Sequence, residues 1–363
     1  MRIKAAVCRA FGEPLAIEAI DLADPGPEDV EVEIKACAIC HSDISYIEGA
    51  WGGDLPAVFG HEAAGIVRRT GSAVTGFTPG DAVVVTLIRS CGKCPYCASG
   101  SQVMCEEVFD LDRNGPIHSP SGEAVWQAMR SGAFAEAVVV HHSQMVKIPS
   151  DMAFDEASLL ACGVITGYGA VVNTAKLKPG QSAAVVGCGG VGLNAIQGAA
   201  LSGAGMVVAI DVADSKLEAA KKFGATHTIN LTKQNAAETI KALTNNHGVD
   251  FVFVTVGAKQ AFDSAFDYIT KNGTVVIVGM PPSGVLASYD PGTMAAWNQK
   301  ILGSKMGETI ISKDIPALTQ AWQEGRLKLA ELITGRYPLD RINEAIEGVT
   351  KGEALRNVIV FGE

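Results

Sequence analysis

The segment 181–211, QSAAVVGCGGVGLNAIQGAALSGAGMVVAID, constrains the fold of this chain more than any other. An apolar strand-like run leads into a glycine-rich turn, Gly187-x-Gly189-x-x-Gly192, then a helix-like stretch and a second apolar run that ends at Asp211. Strand, glycine turn, helix, strand and acid in this order are typical of a dinucleotide-binding βαβ unit. Continuous apolar runs at 249–257 and 273–282 predict further strands of a parallel sheet buried on both faces.

Each glycine of the turn has its own steric role. Gly187 permits the tight turn, Gly189 lets the backbone approach a pyrophosphate, and Gly192 lets the helix pack closely on the strand. The pyrophosphate would lie at the helix N-terminus, where free N–H groups favour an anion. Asp211 would accept hydrogen bonds from the adenosine ribose and repel a 2′-phosphate, so the motif favours NAD over NADP.

Four of the nine cysteines lie within residues 91–105, in the pattern C-x2-C-x2-C-x7-C. Four convergent thiolates satisfy a tetrahedral structural zinc, which has no open coordination position for chemistry. An iron–sulfur cluster also uses four cysteines, but its common bacterial run ends C-x3-C-P, which this segment lacks. Four incidental free thiols are the remaining alternative. The ligands of the predicted zinc are Cys91, Cys94, Cys97 and Cys105.

A second set of metal-ligand residues is spread along the chain: Cys40 in CAICHSD, His61 in FGHEAAG and Cys162 in LLACGVITGYG. Taken singly, a cysteine in an apolar run is usually a small buried side chain. Together, two cysteines and one histidine form a set known for catalytic zinc. Spacing alone does not bring these three residues together, so the set depends on the fold.

Composition excludes several classes of function. The chain has 363 residues, a net charge of −10 and no run of basic residues, which argues against nucleic acid and anionic lipid as partners. We found no signal-peptide pattern at the start, and expect no run of about 18 uncharged apolar residues that could span a membrane. We therefore expect a cytoplasmic enzyme, in which clustered thiols stay reduced and bind metal.

The rest of the chain shows two different patterns of apolar and polar residues. Before residue 160, short alternating runs such as VEVEIKA and FAEAVVVHH with Gly and Pro turns predict a mostly β domain. After about residue 304, the pattern predicts a tail of helix, helix and strand. The segment 215–224, SKLEAAKKFG, predicts a helix closed by Gly224.

With these motifs in their order, the whole chain resembles the zinc-dependent alcohol dehydrogenases of the medium-chain dehydrogenase/reductase family. The resemblance implies an α/β protein with a GroES-like, mostly β catalytic domain and a Rossmann domain with a doubly wound parallel sheet. It places the catalytic domain at 1–163 and 305–363, with a structural zinc lobe at about 89–106, and the NAD-binding domain at 164–304. It also implies two zinc ions per chain, a small alcohol or aldehyde as substrate, and a homodimer.

The resemblance further implies roles for single residues. Cys40, His61 and Cys162 would bind the catalytic zinc, with the carboxylates of Glu62 and Asp43 beside them. Ser42 would receive the substrate proton, and His41 and Arg356 would contact the pyrophosphate. Cofactor contacts are expected at Gly187, Gly189, Gly190, Val191, Gly192, Asp211, Lys216, Thr166, Val278, Arg356 and His41. The substrate pocket is expected at Trp51, Leu87 and Phe134.

Two departures from the family pattern affect the expected function. Many members carry a relay histidine three residues after the serine, where this chain has Ser45, so a proton would leave through water or His41. Glutathione-dependent formaldehyde dehydrogenases carry an anion-binding arginine shortly after the fourth structural cysteine, where this chain has Glu106, Glu107 and Val108. We therefore expect an NAD-dependent dehydrogenase of small or medium primary alcohols. The alternatives are a thiol-dependent formaldehyde dehydrogenase and a regulatory relative without turnover.

The remaining cysteines and histidines receive structural interpretations. Cys8, Cys37 and Cys188 are expected to be small buried side chains. The histidines are expected to be polar surface residues without ligand spacing, including the tandem pair: they are His118, His141, His142, His227 and His247.

Overall fold

The computed structural model describes residues 1–362, and the chain divides into two compact units. Unit 1 comprises Met1–Cys162 and Ile310–Glu363, and unit 2 comprises Gly163–Thr309. The predicted boundaries at 163/164 and 304/305 lie within a few residues of these divisions. The predicted fold class, a mostly β part and a doubly wound parallel-sheet part, is confirmed.

The first part of unit 1 contains mainly short strands. Strands β1 to β10 are Arg2–Cys8, Ala16–Leu22, Asp29–Ala38, Ala57–Val58, Glu62–Thr70, Ala82–Val85, Ile117–His118, Ala124–Gln127, Ala137–His141 and Met145–Lys147. Helices α1 to α4 are His41–Ile47, Pro95–Ala98, Asp110–Asn114 and Phe154–Leu159.

Unit 2 alternates strands and helices. Strands β11 to β16 are Ser182–Val186, Met206–Asp211, His227–Asn230, Val249–Val254, Ile269–Ile277 and Lys300–Gly303. Helices α5 to α10 are Ile165–Gly169, Gly190–Leu201, Asp214–Lys222, Ala236–Leu243, Lys259–Ser264 and Pro291–Ala296. The six strands pair in parallel in the order β13-β12-β11-β14-β15-β16. The order therefore reverses between β11 and β14, and ligands of such sheets bind at the carboxyl ends of the strands at this point.

The C-terminal segment returns to unit 1. It contains helices α11 (Ile311–Gln323) and α12 (Ile342–Thr350) and strands β17 (Ile333–Pro338) and β18 (Arg356–Val360). The predicted tail of helix, helix and strand omitted β17. This strand carries a glycine and ends in proline, two residues depleted in strands, so its β character is weak in the sequence.

Two β-sheets form the core of unit 1. Strands β1, β2, β7, β8 and β4 close into a small barrel. The second sheet has the order β10-β6-β5-β3-β18-β17, and β9 also pairs with β3. Strand β18 lies antiparallel to β3, with Val358 opposite Ala38, so the C-terminal segment completes the sheet that begins before residue 40. This sheet positions most of the candidate ligands described below.

One continuous helical stretch, Phe154–Ala175, is long and apolar enough to cross a membrane by length and composition. The expectation that no such run exists was therefore wrong. Its most apolar window is 83% buried inside the protein, as in the core helix of a globular fold. The apolar side chains of this stretch are accounted for by internal packing.

Candidate active site and metal centres

Four donor residues from separate parts of unit 1 come together in its interior. The ligand atoms of Cys40, His61, Glu62 and Cys162 all lie within 4.8 Å of one another, and all four residues are buried. The sequence could not bring Cys40 and Cys162 together, and the fold does.

Each donor is positioned by the end of an element. Cys40 is the N-cap of α1, directly after β3, and His61 immediately precedes β5. Strands β3 and β5 pair with Ala38 opposite Glu62, which brings these ends side by side. Cys162 lies in a π-helical segment, Leu160–Val164, that follows α4. Such wide turns are frequent at functional sites because they redirect side chains.

Asp43 fixes the orientation of the His61 ring. Its carboxylate lies 3.0 Å from His61 Nδ1 and accepts hydrogen bonds from the backbone N–H groups of Gly60 (2.9 Å) and Cys40 (3.2 Å). The Asp43 side chain is fully buried. A carboxylate on Nδ1 holds the tautomer in which Nε2 is free to bind a metal.

The His61 Nε2 atom is buried and has no hydrogen-bond partner among residues 1–362. A buried polar atom without a partner is costly, which points to a group that binds there in the working protein. The thiol of Cys40 lies against Cys162, and this contact lowers the pKa of Cys40 well below its usual range. The same contact and burial raise the pKa of Cys162. One nitrogen and two sulfurs within reach of each other fit a zinc ion with an open fourth position.

Glu62 and Arg356 form a buried ion pair beside this cluster. Burial raises the pKa of Glu62 to about 7, and Arg356 only partly offsets that effect. Arg356 is itself only 5% exposed. Arg356 therefore has a partner inside unit 1, and its expected contact with a pyrophosphate stays a prediction.

The residues expected to move the proton lie in the first turns of α1. His41 is exposed at the start of the helix, and Ser42 is half-buried one residue after it. Ser45 occupies the next turn and is also half-buried. His41 and Ser42 follow Cys40 directly, so they lie close in sequence to one of the candidate metal ligands.

The four clustered cysteines also converge. The Sγ atoms of Cys91, Cys94, Cys97 and Cys105 lie within 4.8 Å of one another. Backbone N–H groups donate to these sulfurs: those of Cys91 and Cys94 lie 3.3 Å from the Sγ atoms of Cys105 and Cys91. Backbone N–H groups of Cys97 and Glu106 lower the pKa of Cys94 to about 6. Such bonds stabilise thiolates, and four thiolates fit a closed tetrahedral zinc.

The glycine turn of unit 2 has the steric features of a pyrophosphate cradle. A Cβ atom on Gly192 would lie 1.8 Å from the carbonyl oxygen of Gly187, so the helix could not pack as it does. Gly187 has a φ of 95°, which favours glycine. A Cβ on Gly189 would meet no atom within 4 Å, so the backbone there is open to a ligand. Helix α6 begins at Gly190, and its N-terminus faces this opening.

Asp211 closes the same turn at the end of β12. Its carboxylate accepts hydrogen bonds from the backbone N–H groups of Cys188 (2.7 Å), Val212 (2.8 Å) and Ala213 (3.0 Å). A carboxylate has further lone pairs, so these bonds orient Asp211 and leave acceptor capacity for ribose hydroxyls. A carboxylate fixed here favours a cofactor without a 2′-phosphate.

Other predicted cofactor residues lie around the sheet of unit 2. Lys216 is half-buried in the first turn of α7, and its charge lowers the pKa of Cys188 against the larger raising effect of burial. Val191 lies in the first turn of α6, and Val278 follows β15. Thr166 is 8% exposed in α5, where its hydroxyl lies 3.7 Å from the sulfur of Met306.

Sequence reasoning missed Thr255. Its hydroxyl donates to the carbonyl oxygens of Gly187 (2.8 Å) and Val186 (3.0 Å), which holds the glycine turn against β14. Its position directly after β14 could have indicated a role, because residues at the carboxyl ends of central parallel strands commonly line the ligand site.

The expected substrate-pocket residues differ in their surroundings. The Trp51 ring packs edge-on against Tyr46 at 5.1 Å, and Leu87 is half-buried. Phe134 is fully buried in the hydrophobic core of unit 1, and core packing accounts for it without a ligand. A separate cavity of about 490 Å³ in unit 1 contains none of these three residues.

The structural interpretations of the other cysteines are confirmed: Cys8, Cys37 and Cys188 are at most 1% exposed. The interpretation of His141 as a surface residue was wrong, because it ends the fully buried strand β9 and is 6% exposed. Its neighbour His142 is half-buried.

Comparisons with known proteins agree with this geometry. The family model of the alcohol dehydrogenase GroES-like domain matches residues 26–150, and that of zinc-binding dehydrogenases matches residues 190–324. Alcohol dehydrogenase 1 of Pisum sativum is 34% identical over 374 residues, which cover 100% of this chain and 98% of the relative.

Two solved structures align over the full length of both chains. Benzyl alcohol dehydrogenase from Acinetobacter calcoaceticus has a TM-score of 0.93 at 31% identity. An alcohol dehydrogenase zinc-binding domain protein from Burkholderia ambifaria has a TM-score of 0.96 at 30% identity. Matches of this length and identity show that the chain belongs to the zinc-dependent alcohol dehydrogenases of the medium-chain dehydrogenase/reductase family.

Proposed function

We propose that this enzyme interconverts a small or medium primary alcohol and its aldehyde, with NAD(H) as cofactor and two zinc ions per chain. One observation carries the proposal: the buried Nε2 of His61 has no partner and lies within 4.8 Å of the donor atoms of Cys40 and Cys162. That donor set leaves one position for a substrate oxygen.

Different residues of the chain would have different roles in this reaction. Cys40, His61 and Cys162 would hold zinc, which supplies Lewis-acid polarisation of the substrate oxygen when bound. Asp43 keeps His61 in the required tautomer. Ser42, two residues after Cys40, receives the hydroxyl proton of the alcohol. When bound, the nicotinamide would accept a hydride, that is one hydrogen with two electrons, from the carbon that carries the hydroxyl group, while the hydroxyl proton goes to Ser42.

The preference for NAD is supported by the fixed carboxylate of Asp211. Three backbone N–H groups orient it, and it is 8% exposed, so its charge is poorly screened. The open backbone at Gly189 and the N-terminus of α6 supply the contacts for the pyrophosphate.

The substrate class is supported by the relatives and by the segment after the structural cysteines. A similar structure is named for benzyl alcohol, a primary alcohol. Glu106 and Glu107 give this segment negative charge where thiol-dependent formaldehyde dehydrogenases carry an arginine. We therefore favour a free alcohol over an acidic thiol adduct.

A screen that follows NADH absorbance across primary alcohols of increasing chain length, with and without added thiols, distinguishes these substrates. We expect turnover of free alcohols that is independent of glutathione or mycothiol. Activity with formaldehyde that requires a thiol would support the alternative, and no turnover with any alcohol or aldehyde would support a regulatory relative.

We also propose a homodimer that forms through unit 2 and functions in the cytoplasm. Strand β16 is the last strand of the parallel sheet and pairs with β15 alone. Ile301 within this strand is exposed, and the segment leading into it exposes further large apolar side chains: Met280, Leu286, Tyr289 and Trp297. An exposed strand edge beside apolar surface fits a second copy of the chain. None of the nine cysteines forms a disulfide, which suits a reducing compartment.

A further inference from the structure

A third group of metal-ligand residues lies in unit 1, away from both cysteine clusters in the sequence. The ligand atoms of Glu28, His141 and His142 lie within 4.8 Å of one another. No step of the proposed reaction uses them.

The pairing of two strands brings these residues together. Strand β9 ends at His141, opposite Asp29 at the start of β3. The backbone N–H of His142 then donates to the carbonyl oxygen of Glu28 at 3.1 Å. The two histidines and the glutamate therefore leave the same end of the β3–β9 pair, and the backbone fixes their spacing.

The two imidazoles have a geometry that one ion could bridge. Their ring centroids are 4.5 Å apart, and the planes are inclined by 33°. Two imidazoles that bind one ion at about 2.1 Å in neighbouring coordination positions have ring centres roughly 4 to 6 Å apart. The carboxylate oxygen of Glu28 lies 3.9 Å from His141 Nε2.

Ser143 provides a second contact that orients His141. The Nδ1 atom of His141 accepts a hydrogen bond from the backbone N–H of Ser143 at 3.2 Å and lies 2.8 Å from the Ser143 hydroxyl oxygen. That hydroxyl oxygen also accepts a hydrogen bond from the backbone N–H of Ser90. These contacts fix the plane of the ring, and an ion that binds Nε2 would displace the proton that Nε2 carries when Nδ1 accepts.

One cation lies near this group, and it already has a partner. Arg89 acts on His141 electrostatically and is paired with Asp112 at 3.0 Å, so its charge is partly offset. Glu28 supplies the carboxylate of the group.

We propose that Glu28, His141 and His142 form a third metal site, for a divalent transition ion such as Zn²⁺ or Ni²⁺, with water completing the coordination. Imidazole and carboxylate donors suit these ions, whereas Ca²⁺ and Mg²⁺ prefer oxygen ligands alone. The ion would join the start of β3 to the end of β9, and so stabilise unit 1 without taking part in turnover.

Titration of the untagged holoenzyme with Ni²⁺, followed by isothermal calorimetry and metal analysis, tests this site. We expect the wild type to bind one Ni²⁺ more than His142→Ala, and Glu28→Gln to bind it at least 10-fold more weakly. Ni²⁺ should also raise the melting temperature of the wild type but not that of His142→Ala. His247→Ala, which removes an exposed histidine outside the group, serves as the matched control and should behave as the wild type.

Cu²⁺ bound in place of Ni²⁺ gives a spectroscopic readout. The electron paramagnetic resonance spectrum of the wild type should show two nitrogen ligands, and that of His142→Ala at most one. Equal Ni²⁺ stoichiometry and affinity in the wild type, His142→Ala and Glu28→Gln would overturn the proposal. Since Glu28 is exposed, its variant answers the question even if His142→Ala does not fold.

Discussion

Asp43 illustrates how a single residue can control a metal centre without touching the ion. Its carboxylate holds His61 Nδ1 at 3.0 Å and is itself fixed by two backbone N–H groups. The side chain is fully buried, so no water can replace these bonds when they are lost. The orientation of the histidine therefore depends on this one carboxylate.

Replacement of Asp43 by asparagine should weaken zinc binding at the Cys40, His61 and Cys162 centre by about 10- to 100-fold, the usual effect of losing such a partner. Zinc content after dialysis against a graded chelator measures this change. The structural zinc should remain, because Asp43 is not part of the cysteine lobe. Asp151→Asn, an exposed acid to amide change, is the matched control. Unchanged zinc retention in Asp43→Asn would contradict the role given to Asp43.

Asp211 is the second residue whose side chain sets a specificity. Replacement by glycine should reduce the preference for NAD over NADP, measured as the ratio of kcat/KM values, by roughly 10- to 1,000-fold. The reason is the loss of ribose hydrogen bonds and of the repulsion of a 2′-phosphate. Because Asp211 also holds three backbone N–H groups, Asp211→Asn separates the effect of charge from that of the loop. A wild type that already uses both cofactors equally would refute the prediction.

At this scale, residue type and spacing indicated the cysteine cluster and the glycine turn, whereas contacts between buried charged residues could not be predicted. The four clustered cysteines could be predicted to form a metal site because they occupy one short segment. The ion pair of Glu62 and Arg356 was not, because it joins residues far apart in the sequence. His141 was misread for a related reason, since a histidine at the end of an apolar strand looks like a surface residue until the neighbouring strands cover it.

At the scale of elements, the two metal centres depend on different kinds of structure. The cysteine lobe is a local segment, closed by backbone N–H groups that donate to sulfur and by turns at Gly92 and Gly100 with positive φ. The other centre depends on the ends of β3 and β5 and on the π-helical segment at Cys162. A local lobe has little structure left without its metal, whereas the strands and helix are held by the core.

Cys97→Ser and Cys162→Ser should therefore have opposite effects. We expect Cys97→Ser to lower the melting temperature and to lose the lobe's zinc, with a smaller loss of kcat per folded molecule. We expect Cys162→Ser to remove most activity and one zinc while the melting temperature changes less. Metal analysis of the wild type should approach two zinc ions per chain. A single zinc, or equal effects of the two substitutions, would argue against two centres with separate roles.

The elements themselves were predictable to different degrees. The central strands of unit 2 are continuous apolar runs separated by helices, so four of its six strands were predicted from the sequence. Strands β13 and β16, which are only four residues long, were not. The closed barrel of unit 1 did not, because strands such as Ala57–Val58 and Ile117–His118 are two residues long. Their pairing is set by contacts across the sequence, which no local pattern contains. Strand β17 was missed because Gly335 and Pro338 weaken its pattern.

At the scale of the whole molecule, the edge strand of the parallel sheet in unit 2 is the surface that most needs a partner. Strand β16 is the edge strand of this sheet, and Ile301 within it is 38% exposed. In the segment between β15 and β16, Leu286 is 79% exposed and Trp297 is 44% exposed. Single exposed apolar residues are normal, but several in the segment that leads to an edge strand are a feature that a monomer seldom keeps. Pairing of two β16 strands would satisfy the backbone groups of both edges and cover these side chains.

If the proposed dimer forms through β16, Ile301→Lys should convert it into a monomer, because a lysine on an edge strand brings like charges together across the paired strands. Light scattering coupled to gel filtration should give the wild type a mass near twice the 37.8 kDa of the chain, and the variant a mass near one chain. Val108→Lys, which places the same charge on an exposed apolar residue of unit 1, should stay dimeric. A wild type that is monomeric at micromolar concentration, or an Ile301→Lys variant as dimeric as Val108→Lys, would place the interface elsewhere or remove it. Since the predicted interface lies in unit 2 and the zinc ligands all lie in unit 1, zinc content should be the same in all three proteins.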